Sequence, residues 1–321
     1  MIIVTGGAGF IGSCIVRTLN DMGIDDIIIV DNIAKTDKWL NLRNKTYRDY
    51  IHRDAFIAQL PELAGKVTHI IHMGACSSTT ERDFDFLYQN NFEYTKCLWD
   101  FCAEQGISFI YASSAATYGD GRLGFDDTKD IHSLRPLNGY GYSKQLFDVW
   151  AERQERAPKQ HVGFKFFNVY GPNEYFKGSM ASVIYHTYHT VMKTGKMGLF
   201  KSYKDGVADG QQLRDFVYVK DICKVVAFMM QHEEISGLFN LGTGTARSFY
   251  DLACATFRAM GREPAIAFIE MPEHLRAKYQ YYTQAEMGKL RAAGYNAPFC
   301  SLEDGAEDYV QNYLMQGDEV Y

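Results

Sequence analysis

The chain has 321 residues, of which 46% are hydrophobic and 22% charged, with a formal net charge of −6. That balance is ordinary for a soluble globular protein with a sizeable core, and the length allows two domains or one core with an appended lobe. A net acidic chain carries no footprint for nucleic acid, and no apolar run approaches the ~18 residues of a membrane helix. Because an apolar strand starts at Ile2, no cleavable leader is expected, and the cytoplasm is the expected compartment.

The first predicted element is a buried strand, Ile2-Ile3-Val4-Thr5, followed by Gly6-Gly7-Ala8-Gly9-Phe10-Ile11-Gly12 and a helix to about Met22. Gly6 and Gly7 allow a sharp turn, Gly9 lets a diphosphate approach the main chain, and Gly12 permits close packing of helix on strand. The helix start directs unpaired N–H groups at the phosphates. A second strand, Ile27 to Val30, ends in Asp31, where a carboxylate meets the adenosine ribose. Together these predict a dinucleotide site. Ala34 to Asp49 reads as a polar loop with one short helix. Lys38 and Arg53 are the cations near enough in sequence to reach the adenosine end, with plain surface charge as the alternative.

Val67 to His72 is the third strand and runs into the small-residue turn Met73-Gly74-Ala75-Cys76-Ser77-Ser78. A long helix from Asp83 to Gln105 follows, with Asn90 or Asn91 directed at the cofactor. The strand Ile107 to Tyr111 leads to Ser113-Ser114, and Asn138 to Lys144 opens another helix. Tyr140 and Lys144 lie one helical turn apart, on the same face. An ammonium near a phenol favours the phenolate, and a Ser114 hydroxyl can bind the same reacting oxygen. These groups make a proton-transfer site for an alcohol/ketone interconversion.

A strand from His161 to Phe167 closes with Asn168-Val169-Tyr170-Gly171-Pro172, ahead of Lys177 and a helix holding His186 and His189. The two histidines have no thiol or carboxylate companion at ligand spacing, so no metal site is expected. Beyond residue 195 the strand–helix alternation weakens. The fold expected is a Rossmann-type doubly wound parallel sheet over residues 1–168, rejoined by about 214–244. Residues 169–321 are expected to form mainly a smaller C-terminal substrate lobe. The seven cysteines show no paired spacing, so free thiols are expected, with Cys14, Cys97 and Cys102 buried in helices and Cys76 beside the cofactor loop.

From Thr5 to Gly12 and in Arg214-Asp215-Phe216-Val217-Tyr218-Val219 the chain resembles the extended short-chain dehydrogenases/reductases. The strings Gly74 to Thr80, Tyr111 to Gly119, Lys177 to Ser182 and Phe239 to Gly244 resemble, more narrowly, the ADP-glyceromanno-heptose 6-epimerase family. That resemblance implies an isomerase that inverts C6 of an ADP-heptose for bacterial surface glycans. It also implies a nicotinamide cofactor held tightly, NADP with NAD as the alternative, and a homo-oligomer. It makes Tyr140 and Lys177 the two acid/base groups, supported by Lys144 and Ser114. Phe10, Ile11, Asp31, Asn32, Lys38, Ala75, Asn90 and Val169 become cofactor contacts. Asn168, Ser179, His186, Phe200, Tyr203, Arg214 and Tyr279 become substrate contacts. Met73 and Arg53 depart from a branch of that family that has an acidic residue and a lysine there, and Lys201 to Leu213 is a longer loop. The competing readings are a nucleotide-sugar 4-epimerase, a 4,6-dehydratase and a cofactor-sensing binding protein. Ala115-Ala116 argues against the dehydratase, which needs an Asp-Glu pair at that point, and the Lys177 segment argues against the 4-epimerase.

Overall fold

In the computed structural model, which describes residues 1–276 and 279–321, the apolar runs of the sequence become the middle of one parallel sheet. The strands are β1 (Ile2–Thr5), β2 (Ile27–Asp31), β3 (Asp49–His52), β4 (His69–His72), β5 (Ser108–Ser114), β6 (Gln160–Phe166), β7 (Asn168–Tyr170), β8 (Met197–Phe200), β9 (Leu213–Tyr218), β10 (Gly237–Leu241), β11 (Ala246–Ser248) and β12 (Ile266–Ile269). Seven of them form the main sheet, in the order β3-β2-β1-β4-β5-β6-β10. Every pairing in it is parallel. The order reverses between β1 and β4, and the crevice above that point is where such sheets take a dinucleotide.

The helices are α1 (Phe10–Asp21), α2 (Arg53–Gln59), α3 (Phe84–Leu87), α4 (Tyr94–Gln105), α5 (Gly139–Glu152), α6 (Val183–Thr194), α7 (Val219–Gln231), α8 (Phe249–Ala259), α9 (Glu273–Arg276), α10 (Gly288–Ala292) and α11 (Leu302–Asn312). Successive strand residues point to opposite faces, so Val4 and Ile29 join Ile15, Ile222 and Val226 under α1 and α7. Ile3 and Ile28 join Trp99, Phe109 and Phe147 under α4 and α5. Trp99 meets Phe109 and Phe147 edge-on at 6.2 and 6.0 Å. Burial on both faces explains why these strands read as continuous apolar runs.

Three local outcomes differ from the sequence expectation. The loop after Ala34 ends in β3, an edge strand with only Ile51 buried, too short and polar to show a period. The long helix is interrupted by a wide π-turn over Tyr88–Glu93, between α3 and α4. Cys97 is exposed rather than buried, because it lies on the outer face of α4. The stretch from 213 to 244 divides between two sheets. β10 extends the main sheet, whereas β9 pairs with β7 and β11 in a small second sheet. The chain crosses from one sheet to the other at Phe167, whose N–H donates to the Leu241 carbonyl at 3.1 Å. Strands β8 and β12 form a separate parallel pair.

Candidate active site

A cavity of about 710 Å³ opens above the C-terminal ends of β1, β2, β4 and β5. Its floor is the glycine loop. Gly6 has φ 66°, and a Cβ there would lie 2.6 Å from the Gly74 nitrogen, so only glycine lets these two turns approach. A Cβ on Gly12 would lie 2.1 Å from the Gly6 carbonyl oxygen; the close approach at Gly12 is therefore to the loop itself. Helix α1 starts at Gly9 with no side-chain cap and no acid in its first turn, leaving N–H groups for an anion.

Asp31, 7% exposed, ends β2 at the cavity wall. Its carboxylate accepts from Ala8 N at 2.9 Å, Asn32 N at 2.7 Å and the Lys38 ammonium at 2.7 Å. Arg53, at the start of α2, donates to the side-chain amide oxygen of Asn90 in the π-turn. The same turn sends Asn91 inward, where it accepts from Cys76 N at 2.9 Å and donates to Cys76 O at 3.0 Å and Ser143 Oγ at 3.0 Å. One extra residue in the turn thus lets Asn90 line the cavity while Asn91 clasps the loop below it. Gly6, Gly9, Phe10, Ile11, Gly12, Asp31, Asn32, Lys38, Arg53, Ala75, Asn90 and Val169 all line this one cavity. The glycine cradle, the uncapped helix start and the acid at the end of β2 fit a nicotinamide dinucleotide.

Ser114 at the end of β5 and Tyr140 and Lys144 on α5 line the same cavity. Asn138 caps α5 by accepting from Gly141 N at 2.8 Å, and a Cβ on Gly141 would lie 2.8 Å from the Ala116 carbonyl oxygen. That close contact seats the start of α5 against the end of β5. The electrostatics differ from the sequence argument. Burial raises the Tyr140 phenol above its ordinary value, and the hydrogen bond with Ser114 pulls the other way. The Lys144 ammonium donates to the Ala112 carbonyl at 2.9 Å, and burial lowers it to about 8. Desolvation therefore moves the phenol in the direction opposite to the expected lysine effect. Asp148, one turn beyond Lys144 and missed by the sequence reading, counteracts this by favouring the charged lysine. Asp148 is itself held by Ser113 Oγ at 2.7 Å and by buried Lys165 at 3.0 Å. No local spacing announces Asp148, because its partners come from β5 and β6.

Lys177 enters from the other wall, on a 3₁₀ turn over Tyr175–Met180. Its ammonium lies 5.4 Å from the centre of the Phe10 ring. Burial pulls its pKa down and the charge of Glu174 pulls it up. Glu174, also unforeseen, is 1% exposed and accepts from Ser182 N and Oγ, both at 2.6 Å. It thereby joins the two ends of the turn and anchors the residue that caps α6.

Of the seven expected substrate residues, only Asn168 lines the main cavity. Ser179 is exposed on the Lys177 turn, and Ser182 lines the wall in its stead. His186 lies a turn further along α6, outside the lining. Arg214 is buried beneath the wall, its guanidinium 5.6 Å from the Phe249 ring and 5.3 Å from that of Tyr279; Phe249 lines the cavity. Tyr279 borders a second, smaller cleft with Lys204 and Tyr281, and Phe200 ends β8 outside both. Tyr203 is tied to Tyr281, whose hydroxyl accepts from its N–H at 3.0 Å. The residues expected to hold the cofactor and to transfer protons converge on one cavity. The expected substrate contacts spread away from them across the second lobe.

The class follows from a parallel sheet with this glycine loop and a Ser/Tyr/Lys set: the profile of the NAD dependent epimerase/dehydratase family matches residues 2–242. The chain is 55% identical to an ADP-L-glycero-D-manno-heptose-6-epimerase from Fusobacterium nucleatum and 54% identical to one from Nitratidesulfovibrio vulgaris, each over 99% of both chains. This protein therefore belongs to the ADP-L-glycero-D-manno-heptose-6-epimerase family, a family of isomerases within that class. A Helicobacter pylori ADP-L-glycero-D-manno-heptose-6-epimerase has the same fold, with TM-score 0.81 and 24% identity over 97% of this chain and 95% of that one. So does a UDP-N-acetylglucosamine 4-epimerase from Methanobrevibacter ruminantium, with TM-score 0.82 and 22% identity over 98% of each chain. The fold is thus shared with enzymes that act at another carbon. Among the described residues, no helix is long and apolar enough to cross a membrane.

Proposed function

We propose that this protein interconverts ADP-D-glycero-β-D-manno-heptose and ADP-L-glycero-β-D-manno-heptose at C6, through a 6-keto intermediate. The observation that carries the reading is a pair of proton-transfer groups, Tyr140 and Lys177, that enter one cavity from different elements. When bound, the dinucleotide supplies reversible hydride acceptance, so the chain must move only protons and hold the sugar. One base serves the C6 hydroxyl of one epimer. Inversion presents that hydroxyl from the opposite side, so a second base is needed there, and Tyr140 and Lys177 divide the task. Ser114 donates to the reacting oxygen beside Tyr140, and Lys144 supports that phenol and would help to hold the cofactor. Proton transfer by such groups contributes typically ~10²–10⁴ in rate.

NADP is the assigned cofactor. The pairing of Asp31 with Lys38 supports this, since it offsets the repulsion that a bare carboxylate exerts on a 2′-phosphate, and Arg53 adds a second cation. Residues 1–168 with about 214–244 are assigned to holding the cofactor, and the remainder mainly to the substrate; the assembly is taken as a homo-oligomer in the cytoplasm. The test is turnover of ADP-heptose against UDP- and GDP-sugars with no cofactor added, with proton NMR reading the configuration at C6. Inversion at C6 of the ADP-sugar alone is expected. Inversion at C4 of a UDP-sugar would replace this reading with a 4-epimerase.

A further inference from the structure

We infer that the segment 318–321 is a strap that positions the turn carrying Lys177. The inference rests on Lys177 as the second base. Asn173, four residues before Lys177, is fully buried and holds a left-handed backbone at φ 75°, a conformation that a non-glycine residue keeps only when its surroundings secure it. Its side chain accepts from Tyr321 N at 2.9 Å and donates to Ser13 Oγ at 2.9 Å. The Tyr175 hydroxyl donates to the Glu319 carbonyl at 2.6 Å. Two residues of the turn and its approach are therefore tied to the strap.

The strap is in turn anchored on two separate elements. Asn44 donates to the Val320 carbonyl at 3.2 Å, from the loop that follows β2. Asp318 lies 3.2 Å from His189 of α6. Immediately downstream of Lys177, Gly178, Ser179 and Met180 are exposed, and the turn is next fastened at Ala181, whose N–H donates to the Gly178 carbonyl at 3.1 Å, and at Ser182, which donates to Glu174. The approach to Lys177 is thus held at Asn173 and Tyr175 by a segment more than a hundred residues away in sequence, alongside the local Glu174–Ser182 brace. Residues 318–321 do not line the cavity, so they act only through the backbone of the turn.

The test uses three variants: a chain ending at Gly317, Tyr175→Phe, and Asn173→Gly, in which glycine accepts the same φ but drops the side-chain bonds. Misplacement of a reacting group by about 1 Å costs up to ~10²-fold in rate, so each should lower kcat for epimerisation with little change in KM, the shortened chain most. Bound cofactor, and dismutation of a C6-aldehyde analogue, which needs only one of the two bases and keeps Tyr140 here, should be retained. Equal loss of dismutation and epimerisation would overturn the inference in favour of general destabilisation. Full epimerisation in all three variants, with Lys177→Met inactive, would also overturn it. Full epimerisation in Lys177→Met would instead remove the reading of Lys177 beneath it. If the shortened chain does not fold, Tyr175→Phe, which deletes one surface oxygen, decides the matter by the same two activities.

Discussion

The glycine loop and the Lys177 turn bound the same cavity, yet they are held in opposite ways. The loop is made by neighbours: β1, the turn and α1 are continuous, and Asp31 accepts from Ala8 across the adjacent strand. The Lys177 turn is made by strangers, tied to Ser13 and Asn41 at one end of the sequence and to Glu319 and Tyr321 at the other. Cofactor binding should therefore survive lesions that abolish inversion. Holding a dinucleotide requires short-range backbone geometry, whereas serving both faces of one carbon requires two walls to be set against each other.

The strongest way to break that comparison is to remove the bases. Tyr140→Phe and Lys177→Met should each lower epimerisation by ~10²–10⁴ while keeping cofactor, because the loop and Asp31 are untouched. Each should retain much of the dismutation of a C6-aldehyde analogue, and the double variant should lose it. Lys177→Met with wild-type epimerisation would falsify the two-base assignment and return Lys177 to a solvated loop.

A second test sharpens the cofactor side. Lys38→Asp and Arg53→Asp should weaken NADP binding more than NAD binding, by up to about 4 kcal/mol at close contact before screening. Titration of both cofactors into apo-protein reads this directly. Equal losses would remove both cations from the 2′-phosphate.

The smallest effect expected concerns His72, buried on β4 below the loop, where it bonds Thr5 Oγ1 at 2.6 Å and Thr95 Oγ1 at 3.0 Å. Burial lowers its pKa from 6.5 to about 3. Between those values the unfolded chain binds a proton that the folded one does not, so stability should fall as pH drops through that window. The slope from this group is at most about 1.4 kcal/mol per pH unit. Denaturant unfolding near pH 5 and pH 7 should show a shallower dependence in His72→Gln; an unchanged slope would assign the acid sensitivity to other groups.

Much of the cofactor half was legible from residues in order, because its requirements are local. A strand buried on both faces must be an unbroken apolar run, a turn at φ 66° must be glycine, and a base and its helper on one helix face must lie a turn apart. Tyr140, Lys144, Ser114 and Asp31 follow from such rules. What the sequence by itself determined about this protein is accordingly the parallel sheet, its glycine loop and its Ser/Tyr/Lys set. Tertiary structure alone decided that Ser113 and Lys165 hold Asp148, that Glu174 and Ser182 brace the Lys177 turn, and that the Arg214 guanidinium lies over the Tyr279 ring. Those choices depend on desolvation and on contacts between distant segments, and neither quantity has a period along the chain.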